Sequence, residues 1–439
     1  MFASNAAVRA TGALTQVGKV LKAVALIAVL SVTSISPISL IPLQVHAHGT
    51  QHAAQVGSDR QMRIFQKLWK IVNDTYVYPN FNGIDWKGKK TEIEAKINAG
   101  LGDSEFYFLL RKLIESLNDQ HSVYLPPFVA EELFDLYFNP AAYEGVGLLT
   151  ASNRERGYLY VLQVVPGSSA DKAGIRPHDH ITHIGGYPAL DRDGYSQSFL
   201  LAGPAGSEVP VNVQSPGGGA RSISLMRESI PNLELVDQRM LPSTNGKKIG
   251  YINIPTFFSQ TIDKQIKAGL RELMTQAGGK LDGLVIDVRT NSGGSIQTLG
   301  NTLNAFAKGP LGRFRSRKGV ASNISGRGEA IGNSQTVPLV VLISPDTASA
   351  AEVFAGSLQA KGRARLVGQT SAGNIEGLRT YFFEDGSLLF IAEQAFVLPN
   401  GSSWEGKGLQ PVVSALGNWD DITIDNDPAI NAGLNLLAQ

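Results

Sequence analysis

Along the first third of the chain, apolar residues recur at helical spacing. Ile64, Leu68, Ile71 and Val72 share one face, and Phe106, Leu109, Leu110, Leu113 and Leu117 repeat the pattern, which predicts helices within residues 61–117. Tyr78-Pro79-Asn80 and Asn82-Gly83 mark a loop between them, and Leu125-Pro126-Pro127 ends the segment because proline cannot donate a backbone hydrogen bond. From Gly145 to about Glu228 the apolar runs shorten and become β-like, at 158–165, 180–184 and 209–213, between glycine-rich turns, with a short helix at 169–173. After Asn245 apolar strands alternate with helices. Strands are expected at 249–254, 283–288, 339–343 and 364–368, and helices at 261–276, after Gly294 and at 346–359. Such alternation predicts a wound, mainly parallel sheet covered on both faces, and 381–397, with Asp385-Gly386 at its turn, reads as an appended β-hairpin.

At 439 residues the chain is long enough for two to three domains. Its 39 Lys and Arg balance 38 Asp and Glu, which implies no broad basic face for nucleic acid. The absence of cysteine excludes disulfides and thiol catalysis. At the N-terminus Arg9, Lys19 and Lys22 precede the apolar run 23–32, and Val45-His46-Ala47 ends it with export-type spacing. Residues 1–47 are therefore expected to be a signal peptide, with the mature chain starting near His48 in the periplasm or outside the cell. An uncleaved segment would instead anchor the chain to a membrane, although Pro37 and Pro42 make a poor span of it.

Three segments could carry chemistry. Asp287-Val288-Arg289-Thr290-Asn291-Ser292-Gly293-Gly294 is an apolar strand emptying into a glycine pair, where backbone N–H groups can approach a ligand; an ordinary strand-to-helix turn has the same pattern. Ser344-Pro345-Asp346-Thr347-Ala348-Ser349 leads from a strand into a helix, which would put Ser349 in the first helical turn, where N–H groups stabilise an oxyanion; alone it reads as a capping serine. A serine nucleophile needs a base. His48 and His52 belong to the new N-terminus, and His178, His180 and His183 cluster in the strand-rich module without a carboxylate set for a metal, so His121 is the candidate.

Together these segments resemble the tail-specific, C-terminal processing serine peptidases of family S41, with the tricorn core as a more distant relative. The likeness covers nearly the whole mature chain: 68–86 and 117–127 resemble the N-terminal helices and histidine loop, and Tyr143-Glu144-Gly145-Val146-Gly147-Leu148 with 165–177 and Asp179 is similar to the PDZ domain. The peptidase segments are 249–252, 287–294, 347–352, 362–364 and Glu405-Gly406-Lys407-Gly408-Leu409-Gln410-Pro411. The resemblance implies a ClpP/crotonase-like α/β core (231–439), an N-terminal helical cap (48–140) and an inserted PDZ-like β module (141–230). It implies no cofactor and no metal.

Many members pair the serine with a lysine, but that position is Asn374 here, and Lys361 would lie at an exposed helix end. The tricorn-like branch uses serine, histidine and glutamate. On that pattern Ser349 is the nucleophile, His121 the base and Glu405 the group orienting the histidine, with Gln120 where the branch often has serine. The oxyanion hole would be Ala350 N–H with that of Gly293 or Gly294, and Gly145, Val146, Gly147 and Leu148 would bind a substrate's free C-terminus. The expected activity is peptide-bond hydrolysis in unfolded or C-terminally exposed polypeptides. An inactive PDZ-bearing peptide binder and an acyl-CoA enzyme of crotonase type are the alternatives.

Overall fold

The computed structural model describes residues 57–439 except 120, 128–129, 131–142, 154–155, 192–195, 231–235, 243–245, 418 and 424–425. The expected signal peptide, His48, His52 and Gln120 lie outside the described residues. Three helices, α1 (Ser58–Thr75), α2 (Trp86–Asn98) and α3 (Asp103–Glu115), precede the short strand β1 (Val123–Leu125). The strand-rich module comprises β2 (Glu144–Gly145), β3 (Leu148–Asn153), β4 (Tyr158–Val164), α4 (Ser169–Lys172), β5 (His180–Ile184), β6 (Tyr187–Pro188), β7 (Glu208–Gln214), β8 (Ala220–Met226) and β9 (Glu228–Ser229). The remainder runs β10 (Asp237–Leu241), β11 (Ile249–Asn253), α5 (Ile262–Gln276), β12 (Gly283–Asp287), α6 (Ile296–Leu303), β13 (Lys308–Ser316), β14 (Gly319–Arg327) and β15 (Leu339–Ile343). It ends with α7 (Ala350–Ala360), β16 (Arg365–Gly368), β17 (Gly377–Phe382), β18 (Leu388–Val397), β19 (Val413–Ser414) and α8 (Pro428–Ala438).

The main sheet has the order β10-β11-β12-β15-β16-β19, parallel throughout except for the β10–β11 pair. Its central strands β12 and β15 are buried along their whole length because both faces are covered. Leu284, Ile286, Val341 and Ile343 face Ile266 and Leu270 of α5 and Phe354 of α7, while Tyr251, Val285, Val340 and Leu342 face Ile430 and Leu437 of α8. This is the wound α/β core anticipated from the alternation. The hairpin at 381–397 differs from expectation: its β17 and β18 join β1, β13 and β14 in a second sheet. Cap residues Phe65, Leu68, Val72, Phe106 and Leu110 bury against Leu378, Leu389 and Ile391 of that sheet, so the N-terminal helices and the C-terminal hairpin share a core.

The PDZ-like module is a separate antiparallel sheet, β3-β4-β5-β7-β8 with β6 on β5, around Val146, Leu159, Val161, Ile181, Val211 and Leu225. It docks on the segment before α8. Trp419 Nε1 donates to Val161 O at 2.9 Å, the Trp419 ring stacks on His178 with centroids 4.2 Å apart, and Tyr158 and Arg156 bind Asp420 and Asp421. Beneath Trp419, buried Arg289 bridges Asp287 and Asp427 with both guanidinium edges, which fixes the strand leading into the glycine loop.

Candidate active site

Ser349 lies between β15 and α7 on a loop tied down at every residue. Thr347 Oγ1 donates to Val288 O at 2.9 Å, Ala348 N–H donates to Asn291 O at 3.1 Å, and Ala372 N–H donates to Thr347 O at 3.0 Å. These bonds hold 346–348 out of helical geometry. Consequently α7 starts at Ala350 rather than Asp346, and Ser349 is the residue before the helix, at φ 53° and ψ −122°. A non-glycine residue costs about 1–3 kcal/mol in such a conformation, and strain of this kind clusters at functional sites. Ser349 N–H donates to Asn374 O at 2.8 Å and to Glu352 Oε2 at 3.3 Å, and the residue lines a small cavity.

The glycine pair packs directly against this serine. At Gly293, φ 117°, a Cβ would fall 2.7 Å from Ser349 Cβ, so only glycine allows the approach. Gly293 N–H is already donated to Asn291 Oδ1 at 2.9 Å. Among the described residues no partner takes the N–H of Gly294 or of Ala350.

His121 comes from the other end of the fold. Asn118 turns the chain at φ 52°, Asp119 Oδ1 accepts from the N–H groups of His121 and Ser122, and Ser122 Oγ accepts from Ala392 N–H on β18 at 3.1 Å. With Val123 paired to Phe390, this sets the register of the histidine loop against the second sheet. The ring is buried. Nδ1 lies 2.7 Å from Glu376 Oε2, off the N–H axis and thus a close charge contact rather than a straight hydrogen bond; Nε2 is buried with no partner among the described residues.

The carboxylate on His121 is therefore Glu376, not Glu405 as the resemblance implied. Glu376 stands just before β17, two residues after Asn374, and Tyr78 OH donates to its Oε1 at 3.0 Å. Glu405 sits behind it, hydrogen-bonded to Glu376, with Ile375 N–H donating to Glu405 Oε2 at 2.7 Å. Burial, then the charge of Glu376, pushes Glu405 up to about 9. Burial also opposes ionisation of Glu376, but the close contact and charge of His121, with hydrogen bonds from Glu405 and Tyr78, outweigh it and hold Glu376 below its ordinary value. No sequence motif marks Glu376; the only hint is its place just before a strand.

Glu352, three residues after Ser349, is fully buried. Its carboxyl accepts from Ser371 Oγ, Gly373 N–H at 2.9 Å and Asn374 N–H at 2.8 Å, locking the 371–374 loop to α7, and burial raises it above its ordinary value. Asn374 thus acts through its backbone. Lys361 caps the far end of α7, exposed.

In the PDZ-like module Gly145 pairs with Glu228, Val146 O accepts from Ala170 N–H, and Gly147, φ 81°, carries its carbonyl to Val165 N–H beside Ser168. Leu148 opens β3, which is an edge strand. The three histidines there serve separate contacts: His178 binds Trp419 O, His180 stacks on Tyr158, and His183 meets Thr182. Among the described residues no group of three or more His, Asp or Glu could hold a metal.

The model of peptidase family S41 matches residues 248–415, that of the tricorn protease C1 domain matches 60–115, and that of the PDZ domain matches 160–215. The C-terminal processing peptidase of Tetradesmus obliquus chloroplasts is 30% identical over 373 residues, covering 82% of this chain and 78% of the relative. Carboxy-terminal processing protease CtpB of Bacillus subtilis is 28% identical, covering 81% and 68%. Among solved structures, a photosystem II D1 C-terminal processing protease superposes with a TM-score of 0.57 at 26% identity, covering 86% of this chain and 97% of that one. The tricorn protease shares the fold at a TM-score of 0.51 and 15% identity, over 87% of this chain and 36% of its own. A wound core with a PDZ insertion and these relatives define a peptide-bond hydrolase of the serine type. The chain belongs to peptidase family S41, the carboxyl-terminal processing peptidases.

Proposed function

We propose that the protein is an exported serine endopeptidase that cuts unfolded or C-terminally exposed polypeptides through an acyl-enzyme on Ser349. The observation that carries this reading is the buried His121, with Glu376 at Nδ1 and an unpartnered Nε2. A buried ring nitrogen without a partner costs about 1–3 kcal/mol, a cost that a base awaiting the serine proton explains. Ser349 Oγ attacks the scissile carbonyl as Nε2 takes its proton; the oxyanion is held by the free N–H groups of Ala350 and Gly294. Collapse breaks the C–N bond, the imidazolium protonates the leaving amine, and water repeats the sequence to release the acid.

The cavity beside Ser349 is walled by Ile296, Leu299, Phe314, Val353 and Ile375, which favours an apolar side chain next to the cut bond. The free edge of β3 and the Gly145–Val146–Gly147–Leu148 turn suit a substrate tail added as an extra strand, its carboxylate on backbone N–H groups. The basic and apolar pattern of residues 1–47 supports export. The test is fluorophosphonate labelling of the mature protein. Wild type should label and Ser349→Ala and His121→Ala should not; an unlabelled wild type would favour a peptide-binding role.

A further inference from the structure

Glu376, buried, and Glu405, half-buried, form a carboxyl pair that the proposed mechanism uses only in part. Glu376 receives three neighbours: His121 at Oε2, Tyr78 OH at Oε1, and Glu405. Glu405 faces Glu376 at hydrogen-bond range, with Glu352 and Tyr78 also acting on the pair. Two carboxylates in hydrogen-bond contact cannot both be ionised, so the pair holds one proton at neutral pH. Its location follows from the partners. Glu376 is met by a phenol hydroxyl and an imidazole, both of which stabilise an anion. Glu405 is met by one backbone N–H, from Ile375 at Oε2, which leaves Oε1 for the proton.

We propose that Glu405 is a positioning residue in its neutral form: it donates the pair's single proton to Glu376 and, with Tyr78, keeps Glu376 anionic and aimed at His121. This rests on the reading of Ser349 and His121 given above, and it reverses the role that family resemblance assigns to Glu405, that of an ionised partner of the histidine. Burial and the Glu376 charge, which push Glu405 up to about 9, agree with the placement. As pH rises past that value, Glu405 loses its proton and its donor, and a second negative charge appears beside Glu376. The active form is therefore limited on its alkaline side by Glu405.

The test compares the wild type, Glu405→Gln and Glu405→Leu. Glutamine is a neutral donor of the same length, so Glu405→Gln should keep its labelling rate within about tenfold of wild type, whereas replacing the anionic partner of a triad histidine by an amide costs about 10⁴-fold. The Gln variant should also lose the alkaline decline of rate near pH 9 seen in wild type. Glu405→Leu, which removes the donor, should fall below Glu405→Gln. A loss of 10³-fold or more in Glu405→Gln, or an unchanged alkaline limb, overturns the proposal. A second readout does not need activity: the infrared difference spectrum of wild type minus Glu405→Gln at pH 7 should contain a protonated-carboxyl band. Its absence overturns the proposal even if the protein labels, and its presence in a protein that fails to label separates this inference from the proposed reaction.

Discussion

Asn374 offers its backbone carbonyl to Ser349 N–H at 2.8 Å and sends its own N–H to Glu352 Oε2 at 2.8 Å. Asn374 is thus a main-chain clamp on the loop that carries Ser349. Because both bonds belong to the backbone, Asn374→Ala is expected to label with fluorophosphonate within about threefold of wild type, while a loss of 10²-fold would mean that the amide side chain takes part in the transition state.

The two loop glycines should fail in different ways. A methyl at Gly293 meets Ser349 Cβ at 2.7 Å, whereas one at Gly294 meets the Phe257 carbonyl carbon at 2.1 Å. Gly293→Ala should lower kcat/KM by about 10²-fold through the displaced serine and the oxyanion site. Gly294→Ala strikes backbone that cannot yield, so its melting temperature should drop further than that of Gly293→Ala. Equal melting temperatures would refute the distinction.

Stability should lean towards mildly acidic pH. Glu405, raised to about 9 by burial and by Glu376, keeps a proton that the unfolded chain releases near 4.5, so the folded state binds more protons between those values and weakens as pH climbs through them. Glu376 is held below its ordinary value, so its stabilisation is present above that value and fades as pH falls through the folded one. Calorimetry from pH 4 to 9 should find the melting temperature declining on the alkaline side, with that decline reduced in Glu405→Gln.

Arg289 is buried between two acids, and Asp427 also caps α8 by accepting from Ala429 and Ile430 N–H. Asp427→Ala strips one side of a buried cation and uncaps the helix, at an expected cost of about 3–5 kcal/mol. Denaturant unfolding measures it. A change below about 1 kcal/mol would show that Asp287 alone satisfies the guanidinium.

Much of the architecture is legible in the sequence because burial on both faces leaves an unmistakable trace. The run 339–343 is apolar at every position and 283–288 at every position but Asp287, and each folds into a central strand of the main sheet. β13 leaves no such trace: Lys308, Arg313 and Arg315 are interspersed with glycines and the buried Leu311 and Phe314, and one of its partners, β18, lies far along the chain. Ser349 and His121 could be singled out because few residue types fit their chemistry. Glu376 could not, since a glutamate without a motif reads as surface, and its meaning comes from Tyr78, His121 and Glu405 converging on it from three separate segments.

The pairing of β1 with β18 also has a temporal consequence. The strand that carries the histidine loop is among the first segments to be made, and it finds its place only against a hairpin synthesised after the serine helix. A growing chain, or one threading out N-terminus first, therefore holds His121 and Ser349 apart until almost all of it is present.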